Sequence, residues 1–184
     1  MKNLPLHKIN DEVFIATESI VQLDYKFIQF VKEMAICNSK GRARICTHKT
    51  NEDNLHEMII AIRSDSYVRP HRHPHKIESF HLIEGRADVV IFDDQGSIEK
   101  VVKLGSEHAF YYRLDTPRFH TLIVHSPVLV IHEITNGPFD NKASEFAEFS
   151  VESENVDCQD YLSILKRQVA CYLEQRENNN ANIN

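Results

Sequence analysis

The chain has 184 residues, 42% of them hydrophobic and 26% charged, with a formal charge of −6. That length buries a core without help from a disulfide or a metal, and the acidic balance argues against a nucleic-acid or anionic-membrane binder. The longest apolar runs, "ADVVIF" and "PVLVI", are too short to span a bilayer, and the charges in "MKNLPLHKINDEVF" break the apolar stretch of a signal peptide, so a cytoplasmic chain is expected.

Taken in order, "EVFIAT" suits a short strand. In "SIVQLDYKFIQFVKEMAIC" apolar residues at Ile20, Leu23, Phe27, Phe30, Val31 and Met34 keep a helical period. Ser19 is the expected N-cap, and Asn38 to Gly41 the stop. The basic segment "SKGRARICTHK" reads as a solvated turn and strand, whose Arg42 and Arg44 could help to bind an anion. From about residue 45 the period changes. "EMIIAIR", "SFHLI", "ADVVIFDD", "IEKVVKL", "AFYYRL", "HTLIV" and "VLVIHEI" are short β-branched and aromatic runs separated by turn signals, with "FDDQGSI" a hairpin. Seven or more such strands predict an antiparallel sandwich or barrel. "VDCQDYLSILKRQVACYLEQ" then forms an amphipathic helix with Tyr161, Leu162, Leu165, Val169, Tyr172 and Leu173 on one stripe, to pack on the barrel or on another subunit. The expected divisions are 1–44, a strand and helix packing on the barrel; 45–149, the barrel; 150–177, the C-terminal helix; and 178–184, a polar disordered tail. Cys37, Cys46, Cys158 and Cys171 are widely spaced, which suits reduced, mostly buried thiols.

The segment "RPHRHPHKIESFHLIEG" brings His71, His73, His75 and His81 into eleven positions, with Glu78 among them. Alternation along a strand directs His71 and His73 to one face, together with Tyr67 and Arg69 if the strand reaches back that far. Glu78 has the opposite parity, but Pro74 breaks the strand and lets Glu78 begin a new register. His120, opening "HTLIV" after the Pro117 turn, is the expected fourth member and should face inward with Leu122. Three imidazoles and one carboxylate suit one divalent Fe, Mn, Co, Ni, Cu or Zn per chain rather than Ca or Mg. Four protein ligands leave open positions on a six-coordinate ion. His75 and His81 are expected at the surface or behind the ligands.

Around this site, Arg69 is expected at the pocket mouth, where its fork would hold a phosphate or carboxylate. Tyr67 shares that parity and is a second substrate-binding candidate. No catalytic base stands out, and Tyr112 and His132 are the candidates. His132 shares the parity of Val128 and Val130, and it and Glu133 must face opposite ways.

The pattern His71-x-His73, four residues, Glu78, six residues, Gly85 resembles the first motif of the cupins, including the Pro after the second His. Gly105, the Pro117 turn and His120 resemble a degraded second motif. "RARICTH", "EMIIAI", "SYVRPHRHP", "KIESFHLIEG", "VVIFDD", "FHTLI" and "HEITNGPF" are similar to the WbuC family of cupin-fold metalloproteins, over roughly residues 22–149. That resemblance implies a mainly β cupin barrel (a double-stranded β-helix or jelly roll), to which the periodicity adds an N-terminal helix and, beyond the span of the resemblance, a C-terminal helix. It also implies a bound metal, a bacterial surface-polysaccharide (O-antigen) pathway, and a homodimer as one assembly the fold allows. The leading expectation is a metal-dependent isomerase or epimerase acting on a small anionic sugar or nucleotide-sugar. An Fe(II) dioxygenase and a non-catalytic small-molecule-binding cupin are the alternatives.

Overall fold

The computed structural model describes residues 4–140, 144–153 and 155–181. Two sheets, antiparallel except where the Val13–Ala16 strand runs parallel to Arg42–Cys46, face each other across one core. The first contains β1 (Leu6–Lys8), β2 (Val13–Ala16), β3 (Arg42–Cys46), β4 (Leu55–Arg63), β6 (Glu78–Glu84), β9 (Tyr111–Leu114) and β11 (Val128–Asn136), in the order β1-β2-β3-β4-β11-β6-β9. The second contains β5 (His71–Arg72), β7 (Ala87–Phe92), β8 (Ile98–Leu104), β10 (Phe119–Val124) and β12 (Glu145–Phe146), in the order β12-β5-β10-β7-β8. Within them, β4-β11-β6-β9 faces β5-β10-β7-β8, so consecutive strands keep changing sheets. That connectivity is the double Greek key of a jelly roll. The protein is a cupin-fold chain, mainly β with a helix on its N-terminal side and another at its C-terminal end.

Alternation sorts the side chains. On the inner face, Met58, Ile60 and Ile62 of β4, Phe80 of β6, Val89 and Ile91 of β7, Leu122 of β10, and Leu129 and Ile131 of β11 make one buried cluster. Outside the first sheet lies α1 (Tyr25–Cys37), which buries Phe27, Val31 and Ala35 against Ala43, Ile45, Ile59, Ala61 and Val130. Outside the second sheet lies α2 (Cys158–Ala181), whose Leu165 and Val169 pack on Val90, Phe92 and Ile123. The C-terminal stripe thus covers the barrel of its own chain.

Several local expectations shift. Helix α1 starts six residues after the expected Ser19 cap, because the Asp24 carboxylate accepts from Lys26 N at 2.9 Å and caps it there. Ile20, left outside the helix, is 85% exposed. Helix α2 runs to Ala181 rather than ending near 177, while residues 182–184 of the expected tail lie outside the described residues. Of the cysteines only Cys46 is buried; Cys37 and Cys171 are exposed, and all four are free thiols. The "RARIC" strand is less solvated than expected, since Ala43, Ile45 and Cys46 are core residues. Gly85 sits at φ +95°, and a Cβ there would collide with Ser126 Oγ and the Val128 carbonyl, so the turn after β6 admits little else.

Candidate metal centre

Strand β5 is two residues long, and Pro74 follows His73. Glu78 opens β6 in its own register, as the proline break predicts. His120 on β10 lies directly opposite His71 on β5. The result is one cluster: a ring nitrogen of His71, His73 and His120 and a carboxylate oxygen of Glu78 all lie within 4.8 Å of one another. Glu78 Oε1 is 3.2 Å from His120 Nε2, and Oε2 is 3.7 Å from His73 Nε2.

The hydrogen bonds behind the rings suit a cation in front of them. His71 Nδ1 donates to the Arg69 carbonyl at 2.8 Å, and His120 Nδ1 donates to the Arg118 carbonyl at 3.0 Å. His73 Nδ1 meets Ser144 Oγ at 3.1 Å. With Nδ1 engaged behind each ring, Nε2 is turned to the centre, the arrangement that fixes tautomer and aim in metal-ligating histidines. At that centre, Glu78 Oε1 and His120 Nε2 are both buried and lack an aligned hydrogen-bond partner. Buried polar atoms left this way are costly, and a divalent ion among the four side chains would satisfy them. The donor set therefore fits a metal.

Electrostatics agree. Burial pushes His71 down to about 4, with the charge of His120 adding to the effect. Burial also works against the charge on Glu78, yet the neighbouring imidazoles, His120 first, hold its carboxyl below the ordinary value. Burial would lower His120 too, but the Glu78 carboxylate outweighs it and raises that imidazole. The site sets an anionic carboxylate among three imidazoles, a donor set that a metal can bridge.

The other candidates divide. Tyr112 lines the inner face beside Phe80, with ring centroids 5.5 Å apart, and its buried hydroxyl has no partner among the described residues. Burial, then the Glu78 charge, push that phenol well above its ordinary value. His132 lies on the outer face instead, stacked with His81 at 5.9 Å and 3.6 Å from Glu57. On β11 the inner positions are Leu129, Ile131 and Glu133, so the residue that faces the barrel is Glu133. It is next to Phe80 in register and one rung from Glu78, which pairs with Thr135. Burial first, and Glu78 second, push Glu133 up to about 8, against the pull of Arg44 and His120.

Arg69 and Tyr67 do not line the centre. The Arg69 guanidinium donates to Ser150 Oγ at 3.1 Å and stacks 5.0 Å over Phe146. Tyr67 donates its hydroxyl to the Val151 carbonyl at 2.8 Å and meets Tyr161 of α2 edge-on. Both hold the segment after β12 against the barrel. The expected parity does not reach them because β5 begins only at His71. His75 is exposed in the link, and His81 faces out, its ring tilted against Tyr111 with centroids 4.8 Å apart. Arg42 is 3.5 Å from Glu12, whereas Arg44 falls on the inner side of β3 with Cys46 and acts on Glu133. A further inner residue is His56, 3% exposed, whose register partner Thr135 is also the partner of Glu78.

Comparison with known proteins agrees with the fold. A family model described as a domain of unknown function (DUF6016) matches residues 23–104. No curated protein matches. Among solved structures, protein SO0799 from Shewanella oneidensis is similar at a TM-score of 0.51 and 10% identity, over 68% of this chain and 85% of that one. A conserved Klebsiella pneumoniae protein with a double-stranded β-helix domain is similar at 0.45 and 16%, over 58% and 84%. Oxalate decarboxylase from Bacillus subtilis is similar at 0.43 and 17%, over 52% of this chain, which spans about a quarter (24%) of that enzyme's length. The fold and the centre together define a cupin with a His₃Glu cluster suited to a metal ion. Among the described residues, no helix is long and apolar enough to cross a membrane.

Proposed function

We propose that this chain is a metal-dependent cupin enzyme acting on a small anionic sugar or nucleotide-sugar, in isomerase- or epimerase-type chemistry. The observation that carries the metal dependence is the convergence of His71, His73, Glu78 and His120 within 4.8 Å. The likeness of the sequence to the WbuC family supports the finer reading, a step in bacterial surface-polysaccharide synthesis.

A divalent ion held by the four side chains would supply Lewis acidity toward substrate oxygens. The inner face offers the proton chemistry. The Glu133 carboxyl, pushed up to about 8, is matched to taking a proton from a carbon beside a carbonyl and returning it near neutral pH. The Tyr112 hydroxyl has no partner among the described residues and can donate to a substrate oxygen. Arg44 adds positive charge on the same side, where an anionic substrate is favoured. Arg69, tied to residues 146–150, has no part in this reading.

The test is metal analysis of protein purified without oxygen, then incubation with nucleotide-sugars in deuterated water and mass spectrometry. Loading with each of the six candidate ions covers metal identity, including the manganese named for B. subtilis oxalate decarboxylase. Deuterium gained at a substrate carbon supports the proposal. Consumption of dioxygen would replace it with the dioxygenase reading, and saturable binding of an unaltered sugar would replace it with a binding module.

A further inference from the structure

A second polar site lies away from the metal centre. Between the outer face of the second sheet and α2 is an open cleft of about 290 Å³, whose lining includes Arg86, Asp88, Lys103, His108, His125 and Leu173. Asp88 follows the outer parity of β7, which it shares with Val90 and Phe92, and it pairs in register with Lys103 of β8. His125 follows the last residue of β10. It is five residues beyond His120 along that chain direction, roughly 16 Å at strand rise, and of opposite parity.

The cleft is built rather than incidental. Asp88 is only 6% exposed, and its Oδ2 lies 2.8 Å from His125 Nε2, so a buried carboxylate orients a half-exposed imidazole. The Arg86 carbonyl accepts from His125 N at 2.9 Å, and Arg86 N donates to Ser126 Oγ at 3.1 Å. Arg86 and His108 both lie over Gly105, where a Cβ would be 3.3 Å from Arg86 Cγ and 3.6 Å from His108 Cδ2. The glycine leaves room for the two side chains to converge.

Charge gives the cleft its meaning. Five arginines of this acidic chain, at 42, 63, 69, 72 and 118, have carboxylate partners within 4.0 Å. Among the described residues, no carboxylate comes that near the Arg86 guanidinium or the Lys103 ammonium. The one acid in the cleft, Asp88, faces His125. Two formal cations against one carboxylate leave a positive pocket in a protein whose net charge is −6. An arginine fork, a lysine and two imidazoles offer donors from several directions, a pattern suited to the oxygens of a tetrahedral phosphoryl group.

We infer that this cleft binds the phosphoryl group of a small molecule, independently of the metal centre. A ligand there touches both the barrel and Leu173 of α2, so it also fastens the helix to the sheet.

The test uses isotopically labelled, metal-loaded full chain titrated with inorganic phosphate at constant ionic strength, followed by nuclear magnetic resonance. Saturable shifts centred on Arg86, Lys103, His108 and His125 are expected. The doubly substituted variant Arg86→Ala, Lys103→Met should keep the parent spectrum elsewhere and bind phosphate at least tenfold more weakly. Acetate should be at least tenfold weaker than phosphate on the parent. The variant His73→Ala, aimed at the metal centre, should bind phosphate as the parent does. Shifts that never saturate, a double variant that binds as the parent, or acetate equal to phosphate would each overturn the assignment. Phosphate binding lost with His73→Ala would do the same, since the anion would then be sitting on the metal.

Discussion

His71 and His120 face each other in register across β5 and β10, with their ring centroids 4.6 Å apart. The metal centre is therefore anchored by one cross-strand pair in the second sheet. Glu78 reaches it from the first sheet, and His73 closes it from the loop after β5. A centre that joins two sheets senses any change in their separation, and its ligands differ in how deeply the core holds them.

His73 is the ligand to remove first. Its side chain is 17% exposed and lies outside any strand, whereas His120 is buried in the middle of the second sheet. His73→Ala should lower metal affinity by well over tenfold with an unchanged far-ultraviolet circular dichroism spectrum, because the core does not rely on the ion. Metal counted by mass spectrometry should fall from one per chain to a small fraction. Full occupancy in that variant would remove His73 from the ligand set.

Metal affinity should fall as pH falls. Without metal, the Glu78 carboxylate outweighs burial and raises His120 above its ordinary value, so protons compete with the ion for that imidazole as pH falls. His71, pushed down to about 4, stays neutral over the same range and adds no competition until pH approaches that value. Affinity should therefore weaken as pH falls from 8 toward 5, with the one proton on His120 capping the slope at roughly tenfold per pH unit. Competition with a chelator at several pH values measures the slope. A flat profile from pH 8 to pH 5 would contradict a protonated His120.

Much of this centre was legible in the sequence, and the reasons are physical. His71, His73, Glu78 and His120 could be grouped because strand parity and the Pro74 break are local properties. Seven of the eight barrel strands could be found because β-branched runs and turn residues mark them, whereas the two-residue β5 carries no such run. Glu133 was harder. Which side of β11 is inner depends on α1 covering Val130 and on the register with β6, and neither is a local property. His132 looked equally placed for that reason. Parity could not place Arg69, because β5 begins only at His71 and the alternation does not extend back to it, and His56 carried no motif at all. The one-residue register shift between β6 and β11 near Val130 and Ile131 is likewise invisible in the chain.

Glu133 can be tested through stability before any substrate is known. Its pKa in the folded, metal-free chain is pushed up to about 8, above the ordinary value of 4.5. A raised acid contributes stability that is fully present below the unfolded value and is lost as pH rises through the folded one. Glu133→Gln removes that loss. The metal-free variant should therefore melt several degrees above the parent at pH 8, with the gap closing toward pH 4. Calorimetry at the two pH values decides it. Equal Tm differences at both would mean that Glu133 is an ordinary solvated acid.

The last prediction separates scaffold from site. Tyr67 donates a 2.8 Å hydrogen bond to the Val151 carbonyl and packs edge-on against Tyr161 of α2 at 5.7 Å. Arg69 lies 3.1 Å from Ser150 Oγ and 5.0 Å over the Phe146 ring. Both clamp the connection between the barrel and the C-terminal helix. Tyr67→Phe keeps the ring packing and loses one bond, a cost of roughly 0.5–1.5 kcal/mol. Arg69→Ala loses the bond and the stacked cation together, about 1–2 kcal/mol. Each variant should lower the denaturant midpoint accordingly and make the 147–153 segment easier to cleave by protease. Metal affinity should stay within twofold of the parent, since the Arg69 group that supports His71 is its main-chain carbonyl, which both variants keep. A large loss of sugar binding by Arg69→Ala with stability unchanged would reverse this assignment and return the guanidinium to the pocket mouth.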